Sequence, residues 1–197
     1  SPKVGFFSGM VLEALEGDRV QEENGERTVI TPHRSDNPNN FGPASARDSV
    51  VFTCQRPGGD TKGAMIPTQE AVKEWWSAMR EQDVRHVIIL LSDEELSVYE
   101  DPGLISAYKA VGLAVHHIPH DSKGAYAKIM AVLEAVTDGK AVSHCTHGMG
   151  RSGRVAAGWL VHRYGLAVEV AVEEALAAAR THGVTRAGTP GQLRAWI

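Results

Sequence analysis

Cysteine is scarce in this chain of 197 residues, which contains only Cys54 and Cys145. Two cysteines cannot build the disulfide framework of a small secreted domain, and they suit a reducing compartment. No apolar run approaches the roughly 20 residues that a membrane-spanning helix requires, and the N-terminus lacks the pattern of a secretory signal. We therefore expect a soluble, cytoplasmic protein without a membrane partner.

An excess of positive charge is also lacking, because 20 basic residues stand against 24 acidic ones and give a formal net charge of -4. This balance argues against broad attraction to nucleic acid, so any anion-binding site must be local. Hydrophobic residues make up 43% of the chain and charged residues 22%, which is the composition of a globular protein. We expect a monomer that does not bind nucleic acid.

The chain changes character along its length. Residues 1–49 mix glycine, proline, asparagine and charge, with turn signals between residues 31 and 40 and a short strand candidate at 28–31. We predict that residues 1–49 form a loop-rich N-terminal extension packed on a single catalytic domain of residues 50–197.

Helices alternate with short apolar strands beyond residue 63. Periodic apolar residues predict helices at 68–81, 101–111, 126–136, 155–164 and 168–180, between strands at 50–54, 84–91, 113–118 and 141–144. We expect Asp101 to cap its helix, with Pro102 in the first turn and Val111 buried. The alternation predicts an α/β fold with a central, mostly parallel sheet of about five strands flanked by helices.

One loop carries most of the chemistry, the segment 144–152 between an apolar strand and an amphipathic helix. The five residues between Cys145 and Arg151 are enough to curl a loop whose N–H groups converge on a tetrahedral anion. Gly148 and Gly150 permit the positive φ values that such a curl demands. Ligands of open α/β sheets bind at the carboxyl ends of strands, where this loop lies.

The residue types in the loop fit phosphoryl chemistry. A helix that starts near Ser152 directs its free N–H groups and its positive dipole end at the loop, which favours both a phosphate and a thiolate. Arg151 offers a planar fork of donors to two phosphoryl oxygens. We predict that Cys145 is a nucleophile, although a buried cysteine can also be a small hydrophobe in a structural turn.

His144, Cys145, Arg151 and Ser152 together resemble the signature loop of the protein tyrosine and dual-specificity phosphatases. The wider sequence looks closest to the kinase-associated phosphatase branch, through the segments 93–99, 116–121, 144–152 and 187–192. The resemblance covers residues 84–197, and the first third of the chain matches only weakly.

The resemblance implies a phosphatase-like fold and a role for each matching residue. Cys145 would form a phosphocysteine intermediate, Asp121 would protonate the leaving oxygen, and Ser152 would help to expel the thiolate. The substrate phosphate would be bound by Thr146, His147, Gly148, Met149, Gly150 and Arg151. This chemistry needs neither a metal nor another cofactor.

Several assignments stay open at this point. Asp121 lies 24 residues before Cys145, after a strand and just before a helix, so it can reach the loop or merely cap the helix. Asp93, at the end of another strand, is the rival acid. We expect His144 to orient the loop without acid or base work. Gln192 resembles a glutamine that positions water in some relatives, but it can also be an ordinary surface residue.

Two other clusters invite a functional interpretation. His116, His117 and His120 could suggest a metal site, but adjacent histidines on a strand point to opposite faces, so we expect no metal. Cys54 could form a protective disulfide with the loop cysteine under oxidation.

The loop filling bears on the substrate. Residues 146–150 contain only His147 as a possible cation, which favours phosphotyrosine and/or phosphoserine or phosphothreonine of a protein or peptide over a polyphosphorylated lipid. A phosphatase for a small metabolite, sugar or lipid is an alternative with the same mechanism. A non-catalytic phospho-binding module is an alternative of a different class.

Overall fold

The computed structural model describes residues 12–34, 36–59 and 67–197, so residues 1–11 and Ser35 of the expected extension lie outside the described residues. The strands are β1 (Arg19–Glu23), β2 (Glu26–Ile30), β3 (Gly42–Pro43), β4 (Val51–Gln55), β5 (Val84–Ile89), β6 (Ala114–His117), β7 (Lys140–Cys145) and β8 (Ala187–Gly188). The helices are α1 (Gln69–Glu81), α2 (Asp93–Leu96), α3 (Leu104–Ala110), α4 (Ala125–Glu134), α5 (Gly150–Tyr164), α6 (Val168–His182) and α7 (Pro190–Trp196).

The central sheet has the strand order β3-β4-β7-β5-β6. β4, β7, β5 and β6 pair in parallel, and only β3 is antiparallel to its neighbour. Apolar side chains of the central strands are buried on both faces, such as Val87 and Ile88 of β5. One face packs against α4, α5 and α6, and the other against α1 and α3. The predicted α/β fold with a mostly parallel five-stranded sheet is therefore confirmed.

A second, smaller sheet has the order β1-β2-β8 and was not predicted beyond the strand candidate at 28–31. The hairpin β1–β2 pairs with the late strand β8, where Val29 lies opposite Gly188. Asp18, whose side chain is fully buried, accepts a hydrogen bond from Arg180 of α6 at 2.6 Å. The segment before β3 is thus bound to elements near the end of the chain.

Helix α1 shows how local sequence sets an element of the fold. Thr68 caps it by accepting a hydrogen bond from Ala71 N at 3.2 Å, which confirms the helix predicted at 68–81. Trp75 is 2% exposed, and its indole N–H donates to the carbonyl of Gln55 at 3.0 Å. The helix is thereby attached to the carboxyl end of β4. Among the described residues, no helix is both long and apolar enough to cross a bilayer.

The helix predicted to start at Asp101 begins instead at Leu104, so the predicted cap was wrong. Gly103 precedes the helix with a φ of 84°, and no side chain caps the first turn. This left-handed residue separates Pro102 from the helical path. Val111, expected to be buried, is 38% exposed because the helix has already ended.

Candidate active site

The site lies at the carboxyl edge of the parallel sheet. β7 ends at Cys145 and α5 begins at Gly150, so the loop between them is short. Arg56, just after the neighbouring strand β4, donates its backbone N–H to the carbonyl of Cys145 at 2.8 Å. Cys145 is 3% exposed. The loop is therefore held at the point where two parallel strands end together.

One glycine makes the turn of the loop possible. Gly148 has a φ of 67°, and a Cβ atom there would lie 2.5 Å from both the carbonyl carbon of Cys54 and the nitrogen of Gln55. The loop therefore passes too close to β4 for any side chain. The positive φ predicted for Gly150 was wrong, because Gly150 already forms the first turn of α5. The helix thus starts before Ser152.

The outer side of the loop is bound by two polar side chains from other parts of the chain. Asn40 Nδ2 donates to the carbonyl of His147 at 3.0 Å, and Arg186 Nη1 donates to the carbonyl of Gly148 at 2.8 Å. No described residue accepts a hydrogen bond from the backbone N–H groups of residues 146–150. Those donors are available to an anion.

Ser152 lies directly beside the cysteine. Its hydroxyl is within hydrogen-bond distance of Cys145 Sγ at 3.2 Å and of the carbonyl of Cys54 at 3.3 Å. Ser152 is fully buried and occupies the first turn of α5. A hydroxyl donor and a helix N-terminus together stabilise negative charge on the sulfur.

Arg151 is oriented by a carboxylate that the sequence did not single out. Its Nη1 and Nη2 atoms donate to the two carboxylate oxygens of Glu95 at 2.8 and 2.7 Å. Thr146 Oγ1 donates to the same carboxylate at 2.7 Å and accepts from Arg151 Nη2 at 2.6 Å. The hydrogen bond from Arg151 is the main reason that the pKa of Glu95 is lowered to about 2.

Glu95 is itself fixed by the start of α2. Ser92 accepts a hydrogen bond from Glu95 N at 3.2 Å, and Glu95 Oε2 accepts from Ser92 N at 2.9 Å, which is a capping box. The sequence signal was present, because a serine stands three residues before a glutamate just after the apolar strand β5. That pattern predicts a helix start but gives no reason to expect contact with Arg151.

His144 packs behind the loop as a neutral ring. It is fully buried, its Nε2 lies 3.2 Å from the hydroxyl of Tyr108, and its ring meets the edge of Trp75 at 5.4 Å between centroids. Its Nδ1 is buried and has no hydrogen-bond partner among the described residues. Burial lowers the pKa of His144 to about 3, with the charges of Arg56 and Arg151 acting in the same direction.

The two candidate acids lie in different surroundings. Asp121 has a 91% exposed side chain, and its Oδ1 accepts a hydrogen bond from His120 Nδ1 at 2.9 Å. That bond, more than any other contact, lowers the pKa of Asp121, and the charge of Arg151 adds to the effect. Asp93 is the first residue of α2, is 97% exposed, and lies 3.9 Å from His117 Nδ1.

Asp121 does not cap a helix, which removes one alternative. α4 begins at Ala125, and Gly124 precedes it without a side-chain cap. Gln192 lies in the first turn of α7, a helix that was not predicted, and its Oε1 accepts from Arg154 Nη1 at 3.4 Å. The structure thus places Gln192 beside α5 rather than free on the surface.

The three histidines that suggested a metal site have different contacts in the structure. The ring of His116 stacks on that of His86, His117 Nε2 bonds the carbonyl of Leu91 at 2.8 Å, and His120 contacts Asp121. The described part of the chain contains no group of three or more histidine, cysteine or acidic residues placed to hold a metal ion. Both cysteines are free thiols, and burial raises the pKa of Cys54.

A Cys-X5-Arg loop at the carboxyl ends of parallel strands, followed directly by a helix, is the arrangement of the cysteine-based phosphatases of the dual-specificity and tyrosine type. Residues 62–165 match the family model Tc-R-P, described as "Polymorphic toxin system, DSP-PTPase phosphatase". This match spans more than half of the chain, and the chain belongs to that family.

Solved structures share the fold. A kinase-associated phosphatase (KAP) whose catalytic cysteine is replaced by serine matches with a TM-score of 0.58 and 22% identity, over 83% of this chain and 92% of that one. Tk-PTP in its active form matches at 0.52 and 21%, over 80% and 98%. PTPMT1 in complex with PI(5)P matches at 0.52 and 16%, over 78% and 90%. A comparison with curated proteins gives no match.

Proposed function

We propose that this phosphatase hydrolyses phosphate monoesters through a phosphocysteine intermediate formed on Cys145. The observation that carries the proposal is the contact of 3.2 Å between Ser152 Oγ and Cys145 Sγ, beside a loop whose N–H groups at 146–150 meet no acceptor among the described residues. The hydroxyl of Ser152 and the N-terminus of α5 supply the hydrogen bond and the positive dipole end that a cysteine nucleophile uses.

In the first step, the N–H groups of residues 146–151 and the guanidinium of Arg151 bind the phosphoryl oxygens. The thiolate of Cys145 attacks phosphorus, and the bond from phosphorus to the leaving oxygen breaks. Asp121 gives its proton to that oxygen, so the product leaves as a neutral alcohol or phenol. Glu95 accepts from both Nη atoms of Arg151 and so fixes the plane of the guanidinium, which keeps the group beside the phosphoryl oxygens.

In the second step, water attacks phosphorus and the phosphorus–sulfur bond breaks. The carboxylate of Asp121 accepts the proton of the water, which restores the acid for the next cycle. Ser152 donates a hydrogen bond to the departing thiolate of Cys145. We assign Gln192 a role in positioning this water, supported by its place beside α5, and His144 a supporting role behind the loop.

The direction of the Asp121 pKa has a consequence for activity. A carboxyl whose pKa is lowered is protonated only at acid pH, so less of the enzyme carries the required proton as the pH rises. We therefore expect kcat/KM to be highest on the acid side of neutrality and to fall toward alkaline pH.

We further propose that the substrates are phosphotyrosine and/or phosphoserine or phosphothreonine residues of proteins. Within residues 146–150 the only side chain able to carry positive charge is that of His147, which gives little to bind a second phosphate. A panel of phosphopeptides, inositides and sugar phosphates tests this. Higher kcat/KM for a sugar phosphate or an inositide than for every phosphopeptide would favour the metabolite or lipid alternative. We also propose that, within the family, the chain is related most closely to the kinase-associated phosphatases.

We also propose that residues 1–49 are an extension on a catalytic domain of residues 50–197, in a protein that acts as a cytoplasmic monomer. The pairing of β2 with β8 and the hydrogen bond from Asn40 to the loop support the packing of the extension. A cavity of about 560 Å³ beside the loop, lined in part by Arg19, His33, His147 and Met149, is formed jointly by both segments.

Replacement of the nucleophile tests the proposal. Cys145→Ser should abolish hydrolysis of p-nitrophenyl phosphate while the protein still binds vanadate or phosphate. Cys54→Ala is the matched control, since it removes the other free thiol and should keep turnover. Hydrolysis retained by Cys145→Ser would contradict the proposed nucleophile, and binding without hydrolysis by the unmodified protein would favour the phospho-binding module.

A further inference from the structure

We infer that His120 is a positioning residue for the general acid, which holds the carboxyl group of Asp121 in one orientation and leaves one of its oxygens free to carry the transferred proton. The inference rests on the proposed role of Asp121. Nothing in the sequence pattern pointed to it, because the histidines near residue 120 suggested only a metal site.

The contacts of the ring determine its tautomer. Arg154 Nε lies 3.2 Å from His120 Nε2, and a guanidinium can only donate. His120 Nε2 must therefore carry the lone pair, and the ring proton must reside on Nδ1. That N–H donates to Asp121 Oδ1 at 2.9 Å. The imidazole is thus fixed as a donor toward the carboxylate.

The ring is also fixed in space. It is stacked on the indole of Trp196 with 4.7 Å between centroids and an interplanar angle of 9°. Trp196 Nε1 donates to the carbonyl of His120 at 3.1 Å, and the His120 backbone N–H donates at 3.1 Å to the carbonyl of Leu90, the residue after β5. The His120 side chain is 3% exposed. A rigid donor of this kind retains its direction through the reaction.

The charges around the ring keep it neutral. Burial lowers the pKa of His120, and the guanidinium groups of Arg154 and Arg151 on α5 lower it further. Asp121 is the only carboxylate that opposes this shift among the described residues. His120 therefore acts as a hydrogen-bond donor at neutral pH and not as a second acid.

The consequence concerns Asp121, whose side chain is 91% exposed and has little else to restrain it. With Oδ1 occupied as an acceptor, a proton binds to Oδ2, and the fixed ring sets the direction of that O–H group. The same hydrogen bond favours the ionised carboxylate, so it lowers the pKa of Asp121. His120 thus improves the orientation of the acid while it narrows the pH range in which the acid is protonated.

The test compares His120→Leu with His120→Asn in the full chain. Leucine removes the donor, whereas the asparagine amide nitrogen occupies nearly the position of Nδ1 and can still donate. kcat/KM is measured against pH for phenyl phosphate, a poor leaving group, and dinitrophenyl phosphate, a good one. We expect His120→Leu to move the alkaline limb to higher pH and to lower kcat for phenyl phosphate by about tenfold or more. The rate for dinitrophenyl phosphate should change little, and His120→Asn should restore both properties.

Two outcomes would overturn the inference: one removes only the role of His120, and the other also removes the role of Asp121. If Asp121→Asn slows phenyl phosphate selectively but His120→Leu slows both substrates equally without moving the pH limb, His120 is merely structural. If Asp121→Asn itself does not distinguish the two substrates, the proposed acid is wrong and the inference falls with it. Urea unfolding of each variant shows whether a rate loss is a loss of folded protein.

Discussion

Arg186 Nη1 donates to the carbonyl of Gly148 at 2.8 Å, which places a guanidinium directly behind the loop that we assign to phosphate binding. The remaining donors of Arg186 bind the hydroxyl and the carbonyl of Thr53 and the carbonyls of Asn40 and Thr185. None of these acceptors is a carboxylate. Burial lowers the pKa of Arg186 to about 10, so the group still carries its charge at neutral pH. The loop is therefore supported by a buried positive charge as well as by hydrogen bonds.

Replacing this side chain should be severe. Arg186→Met removes the charged donor from the buried acceptors of Thr53 and Asn40, and it leaves the carbonyl of Gly148 only the longer bond from Asn40 Nδ2 at 3.4 Å. We expect it to lower the free energy of unfolding by about 3–5 kcal/mol. The measurement is urea denaturation. Arg85→Met is the control, because the Arg85 side chain is 58% exposed and pairs with Asp83 at the surface. We expect a change below about 1 kcal/mol there, and equal losses in the two variants would contradict the role of Arg186.

The two loop glycines should respond differently to the same substitution. Gly148→Ala combines a positive φ with a Cβ only 2.5 Å from the β4 backbone. A strained φ alone costs about 1–3 kcal/mol, and we expect this substitution to lower the free energy of unfolding by more than that. Gly150→Ala has no heavy atom within 4 Å of its Cβ and should leave the unfolding free energy nearly unchanged. The measurement is urea unfolding of both variants. Equal free energies of unfolding would contradict the prediction, because they would mean that the loop adjusts to a side chain at Gly148.

Ser152→Ala should slow the second step of catalysis. A hydrogen bond to a charged group is worth about 1.5–3 kcal/mol, so loss of the donor to the departing thiolate should reduce kcat by about tenfold or more. A burst of p-nitrophenol equal to the enzyme concentration should appear as the phosphocysteine accumulates. Ser143→Ala is matched to it, since Ser143 is equally buried but its hydroxyl has no partner among the described residues. A burst in the Ser143 variant, or none in the Ser152 variant, would contradict the assignment.

Stability should fall as the pH is lowered, in part because of His144. Its pKa is about 3 in the folded protein and rises on unfolding, so the unfolded chain binds the additional proton between those values. The stabilisation by the neutral ring is fully present near neutrality and is lost progressively as the pH falls toward 3. We expect the urea midpoint to drop less between pH 7 and pH 5 in His144→Asn than in the unmodified protein. A drop in His144→Asn as large as that in the unmodified protein would refute the role of His144.

The sequence predicted most of the sheet and the loop because both depend on local patterns. The helix at 68–81 follows from apolar spacing and from Thr68 as a cap, and the place of Cys145 follows from an apolar strand leading into a glycine-rich turn. The hairpin β1–β2 was missed because β1 is exposed along its whole length and carries no apolar alternation. Its pairing with β8 depends on residues more than 150 positions apart, which no local pattern reveals.

The long-range contacts of the site were equally invisible. Glu95 has a clear local use as part of a capping box, so its sequence gave no sign of the bond to Arg151. Arg186 stands in a segment without periodicity, and only the fold shows that it is buried. His120 looked like one of a cluster of histidines until its ring was placed between Arg154 and Asp121.

The exposed strand β1 also bears on the tendency of the protein to self-associate. Among the described residues it pairs on one side only, with β2, so that its other side presents a row of backbone donors and acceptors to which another chain could add. Its residues Arg19, Glu22 and Glu23 are all exposed and charged. A second copy approaching along this row would have to desolvate those charges, which discourages strand-by-strand aggregation at this edge of the small sheet.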